Sequence, residues 1–239
     1  MGWDRGSQVK RLMVVTALVA AGACSRGADG ASNDASDGSS PSPGASGTVI
    51  EGSIIGDTFH PGYTVELPDG WSTLDDAFMV KEDSGTALGM SVWDVKTVPG
   101  HPCRWRGTER DAGSTVDELV EALVSQRLRD PTEPVPITLA GYEGAYLELS
   151  VPSDAIVTGD SEFRGCDEND NGHRDFVSWW GTDRGERYQQ AAGQVDRVWV
   201  LDVDGQTLLV DATHTADTSA ADRAELEQVV GSLRFLDEA

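Results

Sequence analysis

The stretch from Gln194 to His214, "QVDRVWVLDVDGQTLLVDATH", decides the fold class. Its two apolar halves, "QVDRVWVLDV" and "QTLLVDATH", flank Asp204-Gly205. That dipeptide is the preferred chemistry of a two-residue type I′ turn, so the stretch reads as a β-hairpin. Immediately after it, Ser219 with Asp222 caps a closing helix in which Leu226, Val229, Val230 and Leu233 share one face.

Upstream of the hairpin, "VPITL", a turn at Gly141 and "GAYLELSV" read as two further strands. Before them, "STVDELVEALVSQRL" has Val116, Leu119, Val120, Leu123 and Val124 at helical spacing. Ser114 is the expected N-cap there, with Asp117 three residues on as a near capping box and Glu118 favouring the dipole. "RDPTEP" ends that helix. Earlier still, Tyr63, Val65 and Leu67 alternate with polar residues before the Pro68-Asp69-Gly70 turn. "AFMVKE" and "ALGMSVWDV" are strand candidates joined around Asp83-Ser84-Gly85, and residues 97–113 read as irregular. Strands outnumber helices and hairpin-type turns join them. The expected class is α+β: an antiparallel β-sheet packed with about two helices.

The "LPDGW" opening, the single mid-chain helix, "LAGYEGAYLELSV" and the ending "SAADRAELEQVVGSLRF" together resemble the PsbP-like family over roughly residues 59–235. Its members are compact α+β domains, common among bacterial exported lipoproteins. They act as extrinsic subunits or binding modules without a shared catalytic site. The resemblance therefore implies a PsbP-like fold and a binding or interaction role, and it carries over no catalytic residue. The segment 166–185 fits the family pattern poorly.

The N-terminus carries an address. Arg5, Lys10 and Arg11 precede an apolar run from Leu12 to Ala21, too short for a bilayer and of signal-peptide length. The run ends in "AAGAC", which resembles the lipobox of bacterial lipoproteins, with Ala21 where that box usually has Leu. The same residues also read as an A-x-A cleavage site, and both readings cut before Cys24. Acylation of Cys24 leaves an even pair, Cys103 and Cys166, which an exported domain most simply joins as a disulfide. Residues 25–47 are small and polar and cannot bury enough surface to fold. They make a tether with an r.m.s. span of roughly 25–30 Å. The expected organisation is a lipoprotein signal peptide at 1–23, lipidated (palmitate-bearing) Cys24 with a disordered tether at 24–47, and one domain at 48–239. That domain would sit at the cell membrane, lipid-anchored on the extracytoplasmic face.

Composition narrows the partners. The chain has 18 basic and 41 acidic residues, a net charge of −23. This is the reverse of a nucleic-acid footprint, so no nucleic acid is expected as partner. The same charge repels an anionic membrane surface and suits a tethered module. Three lysines against fifteen arginines fit a high-GC genome such as an actinobacterium's.

One local pattern points to a metal. "CDENDNG" starts at Cys166 and places Asp167, Asn169 and Asn171 before Gly172, the order of an EF-hand entrance. Position twelve of such a loop is a bidentate Glu, and here it is Ser178. "FVSWWG" also reads as strand, not helix. A looser Ca2+ site using Asp167, Asn169, Asn171 and Asp175 stays open beside an acidic loop turned by a type I′ Asn171-Gly172. The disulfide would bring Arg104, Trp105 and Arg106 to this loop, either as an Arg–carboxylate network or as a recognition patch. Trp179 and Trp180 must point to opposite faces of a strand, so with Trp105 they are candidates for holding a sugar or peptide.

Catalytic signatures are missing: there is no G-x-S-x-G, H-E-x-x-H, phosphate loop or G-x-G-x-x-G. His60, His101, His173 and His214 could each orient a proton transfer, but no nucleophile stands in a recognisable context. The expectation is a non-catalytic binding or interaction module for an envelope protein or a small extracellular ligand, with no cofactor. A calcium-dependent or carbohydrate-binding module centred on residues 167–180 is the first alternative, and a secreted hydrolase the second.

Overall fold

The Gln194–His214 hairpin sits at the centre of the molecule, as two nine-residue strands, Val195–Val203 and Gln206–His214. Asp204 and Gly205 both have positive φ, 54° and 88°, as a type I′ turn requires. The computed structural model describes residues 47–52, 54, 62–74, 77–81, 88–182 and 185–236. The expected signal peptide at 1–23, Cys24, the expected tether up to residue 46, the expected Asp83-Ser84-Gly85 turn and His60 lie outside the described residues.

In chain order the first strands are β1 (Thr48–Gly52), β2 (Tyr63–Leu67), β3 (Trp71–Leu74), β4 (Phe78–Lys81), β5 (Gly89–Trp93), β6 (Val95–Pro99) and β7 (Glu109–Asp111). Helix α1 (Val116–Val124) follows, then β8 (Asp130–Pro131), β9 (Val135–Leu139), β10 (Tyr142–Ser150), β11 (Val157–Thr158) and β12 (Glu162–Phe163). The last third holds β13 (Val177–Gly181), β14 (Glu186–Tyr188), β15 (Val195–Val203), β16 (Gln206–His214), helix α2 (Ala220–Ser232) and β17 (Arg234–Phe235). The architecture is α+β, with antiparallel sheets and two α-helices among the described residues.

An eight-stranded sheet runs β3-β4-β5-β16-β15-β10-β8, with β9 hairpinned onto β10 through Ala140-Gly141. Strand alternation gives it two apolar faces. On one face Met90, Val92, Trp199, Leu201, Leu208, Val210 and Ala212 pack with Leu226, Val229 and Val230 of α2, with Leu233 at its C-cap, and with Tyr63, Val65 and Leu67 of β2. The sheet β1-β2-β17 belongs to this layer. On the other face Trp93, Leu147, Leu149, Val198, Val200 and Leu209 pack with Leu119 and Leu123 of α1 and with Trp179 of β13. The second covering sheet, β14-β13-β6-β7, thus presses β13 against the central sheet.

Two sequence expectations shift. The N-cap of α1 is Thr115, not Ser114: Thr115 Oγ1 accepts from Glu118 N, and the Glu118 carboxylate returns to Thr115 N at 3.1 Å. The box partner is therefore Glu118, since an Asp at 117 is one residue early for N3. Residues 97–113 are not wholly irregular, because Thr97–Pro99 pairs with Glu109–Asp111. That pairing lacks the apolar alternation of the other strands, and all three residues of β7 are exposed.

Candidate functional site

The disulfide forms. Cys103 and Cys166, 63 residues apart, have their Cα atoms 4.4 Å from each other. Backbone hydrogen bonds flank the bridge, Asp167 N to Cys103 O at 3.0 Å and Val177 N to Pro102 O at 3.0 Å. Beneath it Val151, Phe163, Cys166 and Phe176 make a small apolar cluster of their own. Two loops, residues 100–107 and 166–175, are thereby fixed to each other.

Charges cross between these loops. Arg104 Nη1 lies 3.3 Å from Asp167 Oδ1, and the Arg106 backbone N–H donates to Asp167 Oδ2 at 3.1 Å. The Arg106 guanidinium donates to the Glu168 carbonyl, stands 3.5 Å from Asp170 Oδ1 and lies 4.8 Å above the Trp105 ring. Exposed pairs of this kind stabilise by roughly 0–1 kcal/mol each, so their use is geometric: they aim the guanidiniums.

The three candidate tryptophans have different environments. Trp179 is fully buried, edge-on to Trp93 at 5.9 Å. Trp105 is also buried, its indole N–H donating to the Asp175 carbonyl at 3.2 Å. Trp180 is half-buried and meets Trp105 edge-to-face at 6.0 Å. Trp180 is thus the one of the three that reaches the surface, with the Arg106–Trp105 stack beside it. Next to it Glu186 has its carboxyl raised, first by burial and then by the charge of Asp175.

The acidic loop spends its oxygens internally. Asn169 Oδ1 accepts from Asn171 N at 2.9 Å and His173 N at 3.1 Å, and its amide donates to Asp175 Oδ2 at 2.6 Å. Burial raises the Asp175 carboxyl, partly offset by that amide. Gly172 has φ 82° but Asn171 is not left-handed, so the type I′ expectation does not hold. The Asn169 side chain sets the turn instead, with Gly172 N bonded to Asn169 O at 3.0 Å. Asp167 turns to Arg104 and the Arg106 backbone, while the Asn169 and Asp175 side chains bond each other. No group of three or more His, Cys, Asp or Glu able to hold a metal occurs among the described residues.

A second polar assembly escaped the sequence reading. Arg129, Asp196, Arg187 and Asp211 are buried together between β13–β14 and the central sheet. Arg129 donates to Asp196 Oδ2 at 2.7 Å, Ser178 Oγ at 2.8 Å and the Leu149 carbonyl at 2.8 Å. Arg187 donates to Asp196 Oδ1 at 3.1 Å and Asp211 Oδ2 at 2.5 Å. Burial alone would raise the Asp196 carboxyl, but Arg187 and Arg129 overcome it and hold it below the usual carboxylate value. Ser178, the residue that spoils the EF-hand pattern, is a hub here, accepting also from Gln189 at 2.7 Å. The signal was present: alternation puts Asp196 in line with Val198 and Val200, and Asp211 in line with Leu209, on inward positions.

Comparison with known proteins adds a fold likeness. The chain matches no family model and no curated protein. Among solved structures it is similar to cyanobacterial PsbP (CyanoP) from Synechocystis sp. PCC 6803 in solution, at 13% identity and a TM-score of 0.36. That alignment covers 83% of this chain and 98% of the other. No helix among the described residues is long and apolar enough to cross a membrane.

Proposed function

We propose that the chain is a lipid-anchored extracytoplasmic module that binds an envelope protein without catalysis, and that the bridged loops form its recognition surface. The observation that carries this is the Arg106–Trp105–Trp180 arrangement held over the Cys103–Cys166 bridge. Arg and Trp anchors fixed before binding lose little conformational entropy on complex formation. Loops on a rigid sheet are also where binding residues concentrate. Anchoring rests on the "AAGAC" stretch and the even cysteine pair left once Cys24 is set aside.

The test displays the full chain on cells of its own host with a photo-cross-linking residue at position 106, or at position 133 as a remote control. A defined protein adduct from 106 but not from 133 is expected; equal labelling, or none, refutes the surface. Mass spectrometry of the same membrane-extracted protein should find diacylglycerol on Cys24, and an unmodified Cys24 refutes the anchor.

A further inference from the structure

Basic side chains are unevenly placed on this acidic chain. Nine lysines and arginines are exposed among the described residues. Six of them stand on or beside the bridged loops: Arg104, Arg106, Arg110, Arg127, Arg164 and Arg174. In a chain of net charge −23 that gathering sets one end of the molecule apart from the rest of its surface.

Three of the six are already engaged. Arg104 meets Asp167, Arg106 meets the Glu168 carbonyl and Asp170, and Arg174 meets the Glu168 carboxylate. Arg110 and Arg127 have no carboxylate partner among the described residues. Their segments meet at Gly100, the residue after β6. The Arg127 backbone N–H donates to the Gly100 carbonyl at 3.0 Å. The Arg110 guanidinium lies over the same residue, so that a Cβ there would stand 2.5 Å from Arg110 Nη2. Its Nη1 donates to Ser125 Oγ at 3.0 Å. The backbone beneath is fixed by buried Gln126, which donates to the carbonyls of Pro99 at 3.2 Å and Ser178 at 2.8 Å. Glu109 and Asp111, on either side of Arg110 in β7, point to the opposite face by strand alternation. Ser125 is the C-cap of α1, and a helix C-terminus favours a nearby cation. That accounts for Arg110 at Ser125 but gives Arg127 no counter-charge.

We propose that Arg110, Arg127 and Arg104 receive an acidic, carboxylate-bearing segment of the protein partner; this rests on the reading of the bridged loops as a recognition surface. A guanidinium is a planar fork that matches a carboxylate, and it stays charged at any working pH. The aromatic pair lies alongside, since Trp180 pairs with Thr97 on β6, three residues before Gly100. Forks beside an aromatic platform suit a peptide with acidic and apolar side chains. A phosphate polymer repeats one charge and offers the rings nothing. The acids elsewhere on the chain sharpen the choice of face, because they repel an anionic partner from the rest of the surface. At about 0.15 M salt the Debye length is about 8 Å, so that distant repulsion is largely screened at the patch itself.

The test titrates the full chain, at about 0.15 M salt, with an oligoglutamate peptide carrying one phenylalanine and separately with inorganic polyphosphate. Arginine side-chain N–H and tryptophan indole resonances report the contact. The peptide should shift Arg110, Arg127 and Trp180 together. Its binding should weaken by about tenfold or more in the Arg110→Glu, Arg127→Glu double variant. An Arg223→Glu, Arg234→Glu variant has the same net charge and should bind as the wild type does. Equal weakening in both variants, unmoved resonances in the wild type, or polyphosphate binding as tight as the peptide's each overturn the proposal. The cross-link from position 106 separates it from the wider reading. An adduct that survives Arg110→Glu, Arg127→Glu overturns the acidic partner and leaves the protein-binding surface standing. No adduct in the wild type refutes the surface itself, and the acidic partner with it.

Discussion

Arg129 Nη2 stands 2.7 Å from Asp196 Oδ2, and neither side chain has any solvent exposure. The pair joins the segment after α1 to the start of β15, and the residue preceding Arg129 shows the cost. Leu128 has φ 60°, a left-handed conformation unfavourable for leucine, and its side chain is 47% exposed. The fold accepts that strain where the chain turns its arginine inward. Arg129→Ala leaves Asp196 short of a charge partner and should destabilise by roughly 3–5 kcal/mol. A fall in melting temperature of roughly 6–20 °C is the expected readout for a domain of this size. Removing both charges, Arg129→Met with Asp196→Asn, should cost clearly less than the two single changes summed. Strict additivity in that cycle would show that the pair does not act as a unit.

The disulfide closes a loop of 63 residues and joins its two segments over a small apolar cluster of their own. Chain entropy assigns it about 4 kcal/mol, provided the unfolded chain is otherwise unconstrained. The Cys103→Ser, Cys166→Ser double variant should therefore melt roughly 8–16 °C lower. It should also lose protection first in residues 100–107 and 166–175, with the β15–β16 hairpin keeping its own. Uniform loss across the chain would mean that the bridged loops are not a separate unit of stability.

The N-cap of α1 can be read by two substitutions. Thr115→Ala removes the oxygen that accepts from Glu118 N and should cost about 1 kcal/mol. Ser114→Ala should cost a few tenths at most, on the order of a surface change, because its backbone N–H keeps the 2.8 Å bond to Glu118. Chemical denaturation distinguishes them, and the reverse order would restore Ser114 as the cap. The Glu118 carboxyl is held low first by the Ser114 backbone and then by the Thr115 hydroxyl. This helix contribution is therefore present above the usual glutamate value and lost as pH falls below it.

Where the sequence pattern was strong, it located the structure. The β15–β16 hairpin, the α2 face of Leu226, Val229, Val230 and Leu233, and the half-buried alternation of β2 all stand as written in the residues. Each depends on local chemistry: a left-handed Asp-Gly pair, a serine cap, a period of two or of three and four. Short strands escaped because three exposed residues such as Glu109–Asp111 have no periodicity to show, and only pairing with β6 makes them a strand. The site was legible to the same extent. Two cysteines placed the loops together, but whether a tryptophan is buried depends on which sheet covers it. β13 carries Trp179 against Trp93 and sends Trp180 outward. Asp196 and Asp211 were readable as inward-facing acids, yet their partners Arg129 and Arg187 come from segments 67 and 24 residues away, a distance that local pattern does not span.

Calcium is the last question, and the loop's hydrogen bonds set the expectation for it. Asp167 receives Arg104 at one oxygen and the Arg106 backbone at the other. Asn169 Oδ1 already accepts two backbone N–H groups, and Asp175 Oδ2 holds the Asn169 amide. A calcium ion needs six to eight oxygens around one point, so binding here would compete with these bonds. Thermal unfolding in millimolar calcium and then in chelator should agree to within about 1 °C. A site saturated at about 100 times its dissociation constant would instead add about 2.7 kcal/mol, or roughly 5–10 °C. A shift of that size, abolished by Asp167→Ala, would mean that the loop rearranges around a cation and that its hydrogen bonds describe only the metal-free form. Asn169→Ala separates the two cases further. It removes the turn's own support and should destabilise the chain equally with and without calcium, because Asn169 works on the backbone of its own loop.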